Sequence, residues 1–251
     1  MDVFFITGAS RGIGLAMSKE LIKENNLLVC TARLKNEELV ELAKKNECKL
    51  VFLEFDLFET SRLEELMDAM ISLIPDFPSS ITLVNNAGVI EPIGHTEDNS
   101  PAAIEKSIAI NLTAPMILTS AFIKKLKDKH VPKRVVNISS GAGRHAYPGW
   151  SSYCAGKAGL DHYSTAVALE QKKEPFGVKI VSVAPGIIDT DMQKEIRATE
   201  KQKFDLVDQF IEYKDKGLLS TPEETAGKLA RLIQSDSFSA MDVLLDLRNV
   251  E

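Results

Sequence analysis

TGASRGIG, residues 7–14, is the stretch on which the reading of this chain turns. It follows a short apolar run at 3–6 and opens a helical pattern over 15–23. Glycines at 8, 12 and 14 let the backbone turn tightly and approach a phosphate closely. The helix behind them offers unpaired N–H groups and the positive end of its dipole. Three glycines alone make only a tight turn. Set between a first strand and a first helix, they make the phosphate loop of a dinucleotide-binding unit.

The strand-turn-helix grammar repeats outward from this loop. Apolar runs at 27–30, 50–55, 81–84, 135–138, 179–183 and 243–247 alternate with stretches such as 63–74, 151–170 and 223–233, where apolar residues recur at spacings of three and four. The expected fold is α/β: a single doubly wound Rossmann-type domain over 1–251, about seven parallel strands with helices on both faces. No linker, repeat or charge block interrupts it. Such a sheet binds its ligand at the carboxyl ends of its strands, which directs attention to 7–14, 31–33, 56–57, 85–88, 139–143 and 184–190.

Bulk properties narrow the function. A net charge of −6 spread over 251 residues lacks the clustered basic surface that nucleic acid needs. Cys30, Cys48 and Cys154 are odd in number and widely spaced, which suggests neither a disulfide framework nor a metal site. The N-terminus lacks a basic region before its apolar run, and no stretch of about 18 uncharged apolar residues occurs, so the expectation is a cytoplasmic protein without a membrane span.

At the end of the second run, where an acidic residue would accept ribose hydroxyls and select NAD, the chain reads Thr31, Ala32, Arg33. A guanidinium in place of a carboxylate suits a ribose 2′-phosphate, and Arg11 can add a second one. These residues point to NADPH/NADP, with two solvated surface arginines as the alternative. Asp56, with Leu57 after it, either accepts from the adenine amino group or simply closes a strand-end turn.

Tyr153 and Lys157 stand four apart in SSYCAGKAG, hence on one face of a helix. Hydride transfer to a carbonyl leaves negative charge on oxygen, which calls for a proton donor and fixed hydrogen-bond donors. An ammonium near a tyrosine is expected to lower its pKa and make it usable as an acid. Ser140, beyond the fifth run, can orient the carbonyl.

In order along nearly the whole chain, TGASRGIG, NNAG at 85–88, Asn111 in INL, NISS ending at Ser140, YCAGK at 153–157 and PGIIDT at 185–190 resemble the short-chain dehydrogenase/reductase family. The resemblance implies Tyr153 as proton donor, Ser140 as carbonyl anchor and Lys157 as modulator, the last also bonding the nicotinamide ribose. Asn111 would hold a proton-relay water, although Pro115 nearby also allows it to be a helix-kink residue. The cofactor would be bordered by Gly8, Ser10, Arg11, Gly12, Ile13, Gly14, Asn86, Ala87, Gly88, Pro185, Gly186, Ile188 and Thr190. Within the family, the stretches around Trp150 and after Pro185 are similar to the sepiapterin reductases and, still more closely across SSGAG at 139–143 and NLTAPMILTS at 111–120, to the microbial benzil reductases that form (S)-benzoin. That likeness implies reduction of one carbonyl of an α-diketone, with a homodimer paired through 102–126 and 151–170. It also makes Asp246, with Asp242 in competition, a counterpart of an acidic substrate anchor.

Residues 187–221, with a helix expected over 201–214, form a candidate substrate lid. Tyr147 and Trp150 form a candidate aromatic wall, to which Met192 adds a flexible apolar face. An ordinary surface helix and core packing of a lone Trp are the bland counterparts. Two other functions compete: a β-ketoacyl carrier-protein reductase, and a non-catalytic NADP-sensing protein, which would need no intact Ser-Tyr-Lys set.

Overall fold

A computed structural model describes residues 1–250. Seven strands form one parallel sheet: β1 Asp2–Thr7, β2 Asn26–Ala32, β3 Lys49–Glu54, β4 Ser80–Asn85, β5 Lys133–Ile138, β6 Lys179–Ala184 and β7 Leu244–Asp246, in the order β3-β2-β1-β4-β5-β6-β7. The chain builds outward from β1 to β3, then returns to lay β4 beside β1, and the crevice between β1 and β4 is the switch point where such sheets bind ligands. Val3 pairs with Leu27 on one side and Ile81 on the other, which brings the ends of β1, β2 and β4 to a common level.

Helices cover both faces, which is why the central strands read as unbroken apolar runs. They are α1 Gly12–Glu20, α2 Glu37–Lys45, α3 Leu63–Ile71, α4 Pro101–Ile108, α5 Ala114–Lys125, α6 Ser151–Gln171, α7 Asp191–Arg197, α8 Val207–Asp215 and α9 Pro222–Gln234. Side chains alternate along each strand. Phe4, Ile6, Leu28 and Cys30 pack under α1, α2 and α9, whereas Val3, Phe5, Leu27 and Val29 pack under α3, α5 and α6. Starts are set locally: Asn36 caps α2, Ser100 caps α4 ahead of Pro101, and Thr221 with Glu224 forms a capping box for α9.

Two of the expected helices shift. α1 begins at Gly12, inside the glycine loop, and ends at Glu20 rather than Lys23. The helix expected over 201–214 is confined to Val207–Asp215, because Phe204 is drawn into a buried aromatic cluster before regular helix starts. A further helix, α7, went unread. The α4–α5 run, 101–125, is long and apolar enough by composition to cross a membrane, and half of its most apolar window is buried within the protein.

Candidate active site

A cleft of about 580 Å³ opens along the carboxyl ends of the strands. Of the catalytic, cofactor and substrate residues singled out from the sequence, all but Gly14, Asn111 and Asp242 line it.

The glycine loop is built as its composition demands. Gly8 and Gly12 have φ of +69° and +54°, left-handed conformations that side chains disfavour. A Cβ on Gly8 would sit 2.9 Å from Ala87 Cα, and one on Gly14 would fall on Gly8 O and Asn86 Nδ2. Gly14 therefore lets α1 pack against the loop and does not itself face the cleft. The loop is pinned to the end of β4: Asn86 Nδ2 donates to Thr7 O (2.9 Å) and Gly8 O (3.2 Å), while Thr7 Oγ1 accepts from the backbone N–H groups of Asn86 and Ala87 (3.0 and 3.1 Å). This role of Thr7 and Asn86 went unread, since nothing local couples residues 79 apart in sequence. No side chain caps the N-terminus of α1, so its amides are free to face a pyrophosphate.

Arg33 lies exposed just beyond β2, with no carboxylate at the strand end. Arg11 leans the other way, its Nη1 3.7 Å from Asp191 at the start of α7. Asp56 closes its turn, one oxygen accepting from the Phe58 N–H at 3.0 Å, and it also lines the cleft. The glycine cradle, uncapped helix end and flanking guanidiniums fit a nicotinamide dinucleotide.

Ser140, Tyr153 and Lys157 arrive from two elements, Ser140 from the turn after β5 and the others from the first turns of α6. Tyr153 and Lys157 are 6% and 4% exposed. Lys157 Nζ donates to Ile138 O (2.8 Å) and lies 5.7 Å from the centre of the Tyr153 ring. Burial depresses its pKa to about 8, against the opposing influence of Asp161. The expectation for Tyr153 is reversed: burial pushes the phenol up to about 12, and the neighbouring Ser140 hydroxyl only partly offsets this. Near neutral pH the phenol keeps its proton, as an acid must.

Asn111 is fully buried in a π-helical turn, Ala109–Thr113, between α4 and α5. Its Nδ2 donates to Val89 O (2.8 Å) and Ser107 Oγ (3.3 Å), and its Oδ1 accepts from Val89 N (3.1 Å). The side chain thus clamps the segment after β4, and the irregularity lies just before Pro115 and within the helix, as π-bulges near functional sites do.

The other end of the cleft is aromatic. Trp150 stacks on Phe204 (centroids 4.9 Å apart, 11° between planes), tilts against Tyr147 (5.1 Å) and Phe210 (5.2 Å), and meets Tyr153 edge-on (6.0 Å). Met192 packs on this cluster. Phe204 and Phe210 were not anticipated, although two phenylalanines six apart in an otherwise charged stretch were the available signal. The segment that carries them leaves and returns at one point, where Ile188 bridges Ser220 and Asp189 N and Ser220 N donate to Ser220 O and Ile187 O (3.0 Å each). Asp246 lines the cleft, and Asp242 does not. The Asp246 carboxylate is held bidentately by Arg248 (2.9 and 2.6 Å).

Residues 2–201 match the family described as short chain dehydrogenase. The chain is 40% identical over 245 residues to a benzil reductase ((S)-benzoin forming) of Bacillus cereus, covering 97% of this chain and 98% of that one. It is 32% identical to the sepiapterin reductase of Mus musculus (95% and 94% covered). Its fold superimposes on a 3-oxoacyl-[acyl-carrier protein] reductase from Brucella melitensis in complex with NAD, with a TM-score of 0.82 at 25% identity (98% and 95% covered). With its glycine cradle, its Ser-Tyr-Lys cleft and these relatives, the chain belongs to the short-chain dehydrogenase/reductase family and is an oxidoreductase of the kind that works with NAD(P)H.

Proposed function

We propose that this protein reduces one carbonyl of an α-diketone, benzil-like or sepiapterin-like, to a hydroxyketone at the expense of NADPH. The observation that carries the reading is the convergence of Ser140, Tyr153 and Lys157 on the cleft that the glycine loop floors. The loop from Gly8 to Ile13, with Asn86, Ala87, Gly88 and the stretch from Pro185 to Thr190, would hold the dinucleotide, and Arg33 would take its 2′-phosphate with Arg11 in support. The nicotinamide supplies a hydride when bound. Ser140 donates to the substrate oxygen and fixes its position. Tyr153 gives that oxygen the proton that completes the alcohol, and the Lys157 ammonium stabilises the phenolate left behind.

The aromatic end supports a flat substrate, since Trp150, Tyr147 and Phe210 all line the cleft there. In this reading 1–251 is one domain, 187–221 is its lid, and the protein works in the cytoplasm on a small-molecule carbonyl. It acts as a homodimer paired through α6 and the α4–α5 run, where Ile104 and Met116 remain exposed. The likeness to a carrier-protein reductase favours a second reading, a β-ketoacyl substrate. A non-catalytic NADP sensor would have no use for the complete Ser-Tyr-Lys set. The test follows NADPH and NADH oxidation with benzil, sepiapterin, a simple β-ketoester and a sugar. Preference for a dicarbonyl with NADPH is expected; preference for the ketoester overturns the diketone reading, and no oxidation of either cofactor favours the sensor.

A further inference from the structure

Behind the cleft, and lining none of it, a half-buried Arg144 pairs with a buried Asp161 and joins the turn that carries Ser140 to the helix that carries Tyr153 and Lys157. Asp161 sits one turn beyond Lys157 on α6 and is 4% exposed. Its Oδ1 accepts from Ser182 Oγ of β6 (2.6 Å) and its Oδ2 from Arg144 Nε (3.2 Å). Arg144 ends the short turn Gly141–Gly143 that starts from Ser140, and its Nη2 donates to Ser182 O (3.4 Å) and to Leu245 O of β7 (3.0 Å). The turn lies flush on α6: a Cβ on Gly143 would come within 2.9 Å of Lys157 O and 3.0 Å of Asp161 Oδ2. A buried ion pair of this kind adds little net stability, because desolvation offsets the attraction, so its consequence is positional and electrostatic.

We propose that Arg144 and Asp161 are positioning residues for carbonyl reduction: the pair locks the Ser140 turn to the helix bearing Tyr153 and Lys157 and sets a carboxylate one turn from the Lys157 ammonium. The inference rests on the catalytic reading given above. The groups facing Lys157 are few. Tyr153 and Asp161 share its helix, the Ile138 carbonyl comes from β5, and Asn111 Oδ1 comes from the π-turn, across Gly88. Arg144 stands behind Asp161 and also acts on Asp246 at the end of β7. Asp161 is the carboxylate among them that opposes the loss of the Lys157 proton on burial.

The sign is fixed by this arrangement. Without the carboxylate, Lys157 loses its proton at lower pH, and without Arg144 it holds its proton to higher pH. The experiment measures kcat for benzil with saturating NADPH between pH 6 and pH 9 for wild type, Asp161→Asn and Arg144→Gln, alongside NADPH affinity and melting temperature. Asp161→Asn is expected to leave NADPH affinity near wild type and to move the alkaline limb to lower pH, so that its deficit grows by about tenfold across the range. Arg144→Gln is expected to lower kcat while moving the limb to higher pH. A deficit of Asp161→Asn that is the same at every pH, or no deficit, overturns the proposal. Should Asp161→Asn fail to fold, Arg144→Gln decides alone: an unmoved or lowered limb overturns the proposal. A wild-type protein that reduces no carbonyl would sink the catalytic reading instead, and wild-type activity with unmoved variant profiles would sink only this inference.

Discussion

The two ends of the cleft are made by different means. At the glycine-loop end the walls are backbone: Gly8, Gly12, the free amides of α1 and the ends of β1, β2 and β4, held by parallel register and by the Thr7 and Asn86 hydrogen bonds. At the aromatic end the walls are side chains from distant segments, Trp150 and Tyr147 ahead of α6 and Phe210 from the excursion over 187–221, with Phe204 buried behind Trp150. Backbone walls admit one ligand shape and resist change. Side-chain walls can be recut one residue at a time, so a family can share one cofactor end and differ in substrates.

Breaking the comparison at its middle should cost most. Tyr153→Phe keeps the ring that packs on Trp150 and removes only the acid, so kcat should fall by about 10²–10⁴-fold with NADPH affinity and melting temperature unchanged. Survival of full activity in a diketone assay would refute the assignment. Next, Phe204→Ala opens a cavity beneath Trp150, a change of about 3–5 kcal/mol when a buried Phe is truncated. Because Phe204 belongs to the 187–221 excursion, the loss should appear as faster proteolysis within that segment and a raised KM for the diketone, with NADPH affinity intact. A loss of cofactor affinity instead would show that the two ends are not separable. Arg33→Ala tests the other end by removing charge-assisted bonds worth about 1.5–3 kcal/mol, so the KM for NADPH should rise by about 10–100-fold while that for NADH stays put. An equal effect on both would remove Arg33 from the phosphate site. The smallest effect expected is that of Gly14→Ala, where overpacking against Gly8 O costs about 1–3 kcal/mol. It should weaken NADPH and NADH alike and lower the melting temperature by about 2–4 °C per kcal/mol.

Legibility followed the same division. Residues 7–14 could be read from the sequence because a positive φ and a close backbone approach restrict a position to glycine, a constraint written at the residue that bears it. The number of strands was equally plain, since strands buried on both faces must be apolar throughout. Phe204, by contrast, looked like a residue within a charged helix until the fold carried it 54 positions back along the chain to Trp150. Nothing in the sequence couples Arg144 to Asp161 either, since their contact spans 17 positions and two elements.

The sequence alone determined that this chain folds as a parallel α/β sheet with a glycine loop at its first turn and a Ser-Tyr-Lys set beyond its fifth strand. It did so because backbone conformation and strand burial act through the residues they constrain. Only the tertiary structure decided that Gly14 serves packing, that Asn111 clamps Val89, that burial raises the pKa of Tyr153, and that Arg248 takes up Asp246. Each of these depends on what lies across a contact, and desolvation and hydrogen bonding are properties of the assembled surroundings, not of any stretch of chain.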